Sequence, residues 1–180
     1  MSAPRIAARP AQPYLGIRAP VTNGIRSFAD SAFPELFGWL TLHGVAPAGP
    51  PFLRYHEVAR DGEPLDVEAG VPVESTAHDE LGAKDSAAGD DRVRASTLPA
   101  GDYLTLLHVG PYRSDSLLDL GDARAGLVAW ADDNGVTYGS ETPRGLELAC
   151  ALEQFQVGPV DEEDFTKWRT EFAYLIRPRT

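Results

Sequence analysis

Lysine is nearly missing from this 180-residue chain, in which Lys84 and Lys167 are the only two. No lysine patch can form, the arginines are scattered singly, and the formal net charge is −11. Such a surface repels phosphate backbones, which argues against direct nucleic-acid binding, and it attracts cations. Cysteine is equally scarce. The single Cys150, in "ELACALEQ", excludes an internal disulfide, fits a reducing cytoplasm, and reads as a small buried hydrophobe. Long apolar runs are absent as well. The longest fall far short of the roughly 20 residues that span a bilayer. The N-terminal "MSAPRIAARPAQP" has no apolar h-region and is not a secretory signal. A cytoplasmic protein that does not contact membranes is the expectation.

Familiar chemical signatures are missing too. There is no phosphate-binding P-loop, no dinucleotide-binding glycine run, no nucleophile elbow and no His-Glu-x-x-His zinc motif. The four histidines, His43, His56, His78 and His108, are too widely spaced to suggest metal ligation, so neither metal nor cofactor is expected. What is present is the mix of a globular protein, 43% apolar and 24% charged, long enough to bury a core.

The hydrophobic pattern predicts an α+β order. Residues 1–13 read as a flexible arm, and 14–180 as one domain. In its first half, about 14–74, "PYLGIRAPV" (14–22) reads as a strand. A helix follows from Ser27 to His43, with Phe28, Ala32, Leu36 and Leu40 on one face, Ser27 as N-cap and Gly44 as the stop. Pro34 requires either a start nearer that residue or a kink. "PPFLRYHEV" (51–58) and "LDVEAGVPVE" (65–74) alternate as strands around a Gly-Asp-Pro turn. The polar, acidic stretch 75–91 reads as an exposed loop. The second half, about 92–178, repeats the order. A strand, a Pro-Ala-Gly-Asp turn and a second strand lead into a helix from about Ser114 to Asn134, with strands at 145–156 and 168–177. Trp130 and Trp168 read as core. Two strand–helix–strand–strand units can pair their sheets about a pseudo-two-fold axis and leave a cleft, a common ligand site.

"WRTEFAYLIRP" (168–178) places Glu171 inside a strand. Alternation sets it on one face with Arg169, Ala173 and Leu175, and sets Thr170, Phe172 and Tyr174 on the other. Either Glu171 pairs with Arg169 or Arg177 at a sheet edge, or it meets a cationic ligand.

The segments "GPPFLRYHEV", "LDVEAGVPV", "LPAGDYLTLLHVGPY" and the closing W-x-T-E-x-x-Y-L-I-x-P, in this order, resemble the GyrI-like (gyrase-inhibitor-like) small-molecule-binding domains. These also serve as effector-binding domains of AraC-type and multidrug-sensing bacterial transcription regulators. The resemblance covers roughly residues 14 to 178. It implies an antiparallel sheet of duplicated βαββ units with pseudo-two-fold symmetry, and a cleft that takes hydrophobic, often cationic, aromatic compounds. By motif it assigns the ligand-facing carboxylate to Glu171 and aromatic contacts to Tyr55 and Tyr112. For Tyr55 the alternative is cross-strand packing, and for Tyr112 a structural plug. Trp39 either walls the cleft or packs in the core. Ala173 lies on the Glu171 face. The family pattern of Glu-x-Tyr in the penultimate strand is sought at Glu147, where Leu148 and Ala149 follow instead, so a wider cleft is expected beside Ala149.

Three functions follow as expectations. The first is a stand-alone multidrug-binding protein, since the stretch before Tyr14 is too short for a helix-turn-helix. The second is a hydrolase of cyclopropane-containing genotoxins, with Glu171 as general base and Tyr112 or Tyr55 as proton donor, because some members of the family do this. The third is a protein that shields DNA gyrase through its acidic surface.

Overall fold

A computed structural model describes residues 3–21, 24–61, 64–75, 92–110 and 121–177. Its strands are β1 (Arg5–Arg9), β2 (Gln12–Pro20), β3 (Phe52–Ala59), β4 (Pro64–Pro72), β5 (Arg94–Leu98), β6 (Gly101–Val109), β7 (Gly139–Glu141), β8 (Gly145–Val157) and β9 (Arg169–Leu175). They form one antiparallel sheet ordered β1-β6-β9-β8-β3-β4-β2-β5, with β7 paired to β8. Among the described residues, the α-helices α1 (Ile25–Leu42) and α2 (Gly121–Asp133) complete an α+β fold. Outward from the β3–β8 junction, one half runs β3-β4-β2 and the other β8-β9-β6.

The connections force the sheet to curl. β1 and β2 lie near opposite ends of the strand order, yet only Pro10 and Ala11 separate them. The same holds for β5 and β6, joined by Pro99 and Ala100. Two residues span only about 7 Å, so the ends must come together. Side chains from strands far apart in the order accordingly touch: Tyr14, Leu98, Tyr103, Cys150 and Leu152 share one cluster on the inner face. Both helices cover the outer face and its larger core, where Leu36 and Leu40 of α1 and Leu127 of α2 are almost wholly buried. Each such leucine contributes about 1.5–3 kcal/mol.

Several sequence expectations are corrected here. Residues 5–9, read as part of a flexible arm, form β1 and pair with β6 from Arg5↔Thr105 to Arg9↔Gly101. Its alternation was too short and too mixed in polarity to stand out. The first helix starts at Ile25 after Gly24, two residues ahead of Ser27, and runs through Pro34. The helix forgoes one backbone bond at that proline, and packing of Ala32, Leu36 and Leu40 compensates. β7 was not anticipated. The acidic loop lies outside the described residues save for its first residue, Ser75, and the expected first turns of the second helix also lie outside them. Among the described residues, no helix is long and apolar enough to cross a membrane.

Candidate functional site

The site grows from an irregularity at the sheet's centre. On β3 and β8, Tyr55 pairs with Ala151, yet the next pair is Glu57 with Glu147. Two steps along β3 are matched by four along β8, so β8 bulges between Leu148 and Cys150. The bulge resets the alternation: Leu148 and Ala151 both face the helices, while Cys150 turns to the inner face. The described β3–β8 surface therefore opens a cavity of about 470 Å³ on the helix-bearing side, lined by Tyr55, Val58, Leu146 and Leu148, by Arg124 and Val128 of α2, and by Tyr138 and Tyr174.

Pairing across three strands explains the floor. One row runs Tyr55–Ala151–Tyr174 across β3, β8 and β9, and the next runs Leu53–Glu153–Phe172. Ala151 is small, so the two tyrosines stand on either side of a hollow. Glu153 lies one row deeper on the same face, with no exposed surface. A carboxylate removed from water needs a partner. Arg124 reaches down from α2 and donates Nη2–H to Glu153 Oε1 at 2.5 Å. Its guanidinium also lies over the Tyr55 ring, 4.8 Å from the centroid. Delocalised cations gain from such a face.

Electrostatics follow this geometry. Burial is the largest single influence on Arg124 and opposes its charge, but the Glu153 carboxylate with its hydrogen bond, together with the Tyr55 and Tyr174 phenols, outweighs burial and holds the guanidinium above its ordinary pKa. Burial, reinforced by the Glu153 charge, pushes the Tyr55 phenol well above its usual value, and burial does the same at Tyr174. The hydrogen bonding is incomplete: among the described residues, Tyr55 OH, Glu153 Oε2 and Arg124 Nε are buried without a hydrogen-bond partner. The site thus combines one dry carboxylate, an aromatic wall and spare polar capacity.

Of the residues singled out in the sequence, Tyr55 is in this cavity. Glu171 is not. It shares a face with Ala173, as alternation required, but that is the inner face, opposite Tyr55. There Glu171, with 14% of its side chain exposed, accepts from Arg9 Nη2 at 2.6 Å and from Gln156 Nε2 at 3.1 Å. Its cationic partner is Arg9 of β1, a residue 162 positions away, rather than Arg169 or Arg177. Ala173 is fully buried in the inner cluster. Ala149 sits in the β8 bulge, where its N–H donates to the Tyr138 carbonyl at 3.1 Å and fixes that wall. Trp39 stacks on His43 at the end of α1, with ring centroids 3.8 Å apart, away from the cavity lining. Tyr112 lies outside the described residues.

Glu153 and Arg124 were missed. A signal for Glu153 exists: Glu153-Gln154-Phe155 carries the Glu-x-aromatic spacing that was sought at Glu147, six residues too early. Arg124 has a weaker one, lying next to Ala123 on the helix whose Ala123, Leu127 and Ala131 are buried.

Comparison with known proteins agrees with this architecture. No curated protein matches the chain. Among solved structures, the C-terminal domain of EcmrR superposes with a TM-score of 0.73 at 19% identity, over 98% of both chains. The chain spans 57% of EcmrR as seen in its complex with DNA. SAV2435 bound to tetraphenylphosphonium gives a TM-score of 0.59 at 15% identity, covering 98% of this chain and 94% of that one. A hydrolase from Listeria innocua gives 0.53 at 12% identity, covering 97% and 92%. At these identities the likeness is one of fold. The sequence itself matches, over residues 2–164, the profile of the GyrI-like small molecule binding domain. On that match, and with the antiparallel α+β architecture in agreement, the chain belongs to the GyrI-like small-molecule-binding domain family.

Proposed function

We propose that the protein binds hydrophobic, delocalised aromatic cations in the cavity between α2 and the bulged centre of the sheet. The observation that carries this reading is Glu153, a carboxylate with no exposed surface directly beneath an aromatic-lined hollow. The carboxylate supplies charge, and Tyr55, Tyr138 and Tyr174 supply ring faces, each worth about 0.5–2 kcal/mol to a cation. Few directional bonds are involved, so shape and charge select the ligand and broad tolerance follows. The role first given to Glu171 passes to Glu153, because Glu171 lies on the inner face of the sheet, away from this cavity. As a sensor or sequestering protein, the chain needs only this cavity.

The test is titration with tetraphenylphosphonium, the compound bound to the structural neighbour SAV2435. Glu153→Gln weakens binding by roughly tenfold or more, the equivalent of about 1.4 kcal/mol, while Glu171→Gln leaves it within about twofold. Equal affinity in wild type and Glu153→Gln defeats the reading.

A second reading, hydrolysis of strained cyclopropane-bearing compounds, uses the same groups. It draws support from Glu153 Oε2 and the Tyr55 hydroxyl, which are buried and unpartnered among the described residues. Glu153 would take a proton from a water whose oxygen bonds to one ring carbon as the strained C–C bond breaks, and Tyr55 would protonate the released carbon and recover its proton from Glu153. Product detected by mass above a buffer control distinguishes turnover from binding.

A further inference from the structure

Glu153 has no surface in the cavity; Arg124 does. Whatever occupies the hollow meets the guanidinium first. The geometry points to Arg124 as a tethered stand-in for the ligand: its guanidinium holds the cation seat on Tyr55 and Glu153, and the ligands that replace it are planar cations carrying N–H donors, of the arylamidinium and arylguanidinium class. This inference rests on the cation-binding reading above and adds the ligand class and the residue that competes with it.

Three observations support it. The seat is already filled by a group of this chemistry, lying over the Tyr55 ring 4.8 Å from its centroid and hydrogen-bonded to Glu153 Oε1. The occupant fits badly, since Arg124 Nε, Glu153 Oε2 and Tyr55 OH all remain buried without hydrogen-bond partners among the described residues. A free amidinium can place two parallel N–H groups on both carboxylate oxygens, which the tether denies Arg124. Finally, the side chain has room to leave. It is 28% exposed and borders the cavity, so a rotamer change suffices, and Glu141 on the same lining offers a second carboxylate. A cation without N–H groups can replace the charge but leaves the acceptors of Glu153 unsatisfied, so it binds less tightly than an amidinium of similar size.

The consequence is competition. If the seat is filled by Arg124 most of the time, apparent affinity falls by the fraction of time it is empty. The experiment compares wild type, Arg124→Met, Arg124→Gln and Glu153→Gln, using p-aminobenzamidine fluorescence and tetraphenylphosphonium calorimetry. The Arg124 variants bind p-aminobenzamidine roughly tenfold tighter or more than wild type. They prefer it to tetraphenylphosphonium, and Glu153→Gln loses both. An Arg124 variant that is unstable alone is restored in melting temperature by low-millimolar guanidinium, whereas tetramethylammonium at the same concentration does not restore it. Unchanged or weaker p-aminobenzamidine binding in the Arg124 variants overturns the inference, as does equal rescue by tetramethylammonium. If instead no cation binds any form, or Glu153→Gln binds like wild type, the failure belongs to the cation-binding reading.

Discussion

Replacing Glu153 with Gln keeps the side chain's volume and removes its charge, so it isolates the energetics of the buried pair. Glu153 is fully buried and Arg124 is 28% exposed. Removing one member of a buried pair costs about 3–5 kcal/mol because the other charge is stranded. Two features here reduce the figure. Water reaches the exposed part of Arg124, and the glutamine oxygen still accepts one hydrogen bond from Nη2, leaving about 2–3 kcal/mol. For a chain of this length, each kcal/mol corresponds to roughly 2–4 °C in melting temperature, so a drop of about 5–10 °C is expected. Thermal unfolding followed by circular dichroism measures it. The decisive comparison is the double variant Glu153→Leu with Arg124→Met. Replacing both charges with apolar groups removes the desolvation cost along with the attraction, so the double variant lies within about 1 kcal/mol of wild type even though each single change is costly. Additive losses in the double variant, or a Glu153→Gln protein as stable as wild type, would refute the assignment of a dry, mutually dependent pair.

Other expectations test the rest of the fold. Burial, with the Glu68 carboxylate second, pushes the Tyr14 phenol up to about 12 from its ordinary 10.0. A raised pKa means the folded state keeps a proton that the unfolded chain has released. The associated stability is therefore complete below about pH 10 and is lost as the pH rises toward 12, about 3 kcal/mol in all. Urea midpoints compared between about pH 9 and pH 11 fall less steeply in Tyr14→Phe than in wild type. Gly145 pairs with Ala59 at the rim of the cavity, and an added methyl there would collide with the Val58 carbonyl and the Ala59 backbone. Gly145→Ala thus costs about 1–3 kcal/mol and weakens ligand binding more than a remote variant of equal stability, by calorimetry. Cys150 is buried on the inner face and burial pushes its thiol up, so a thiol reagent labels it only at the rate of unfolding, and rapid labelling of the native protein contradicts the described packing.

Local pattern was enough for most elements. β-branched and aromatic alternation placed β3, β4, β6, β8 and β9 within a few residues, and the spacing of Ala32, Leu36 and Leu40 placed α1, because those periods are properties of the chain itself. Alternation even put Glu171, Ala173 and Leu175 correctly on one face. It could not say which face. Two-residue links at Pro10–Ala11 and Pro99–Ala100 curl the sheet so that this face is enclosed and Arg9, far away in sequence, neutralises Glu171. The bulge at Ala149 reset the phase of β8, and Arg124 arrived from a helix to complete the pair with Glu153. The sequence by itself determined the class of fold, the family and the acidic balance of charge. Only the tertiary structure decided which carboxylate lies beneath the cavity, because that choice depends on a strand's phase and on partners tens of residues away, and neither is written in local periodicity.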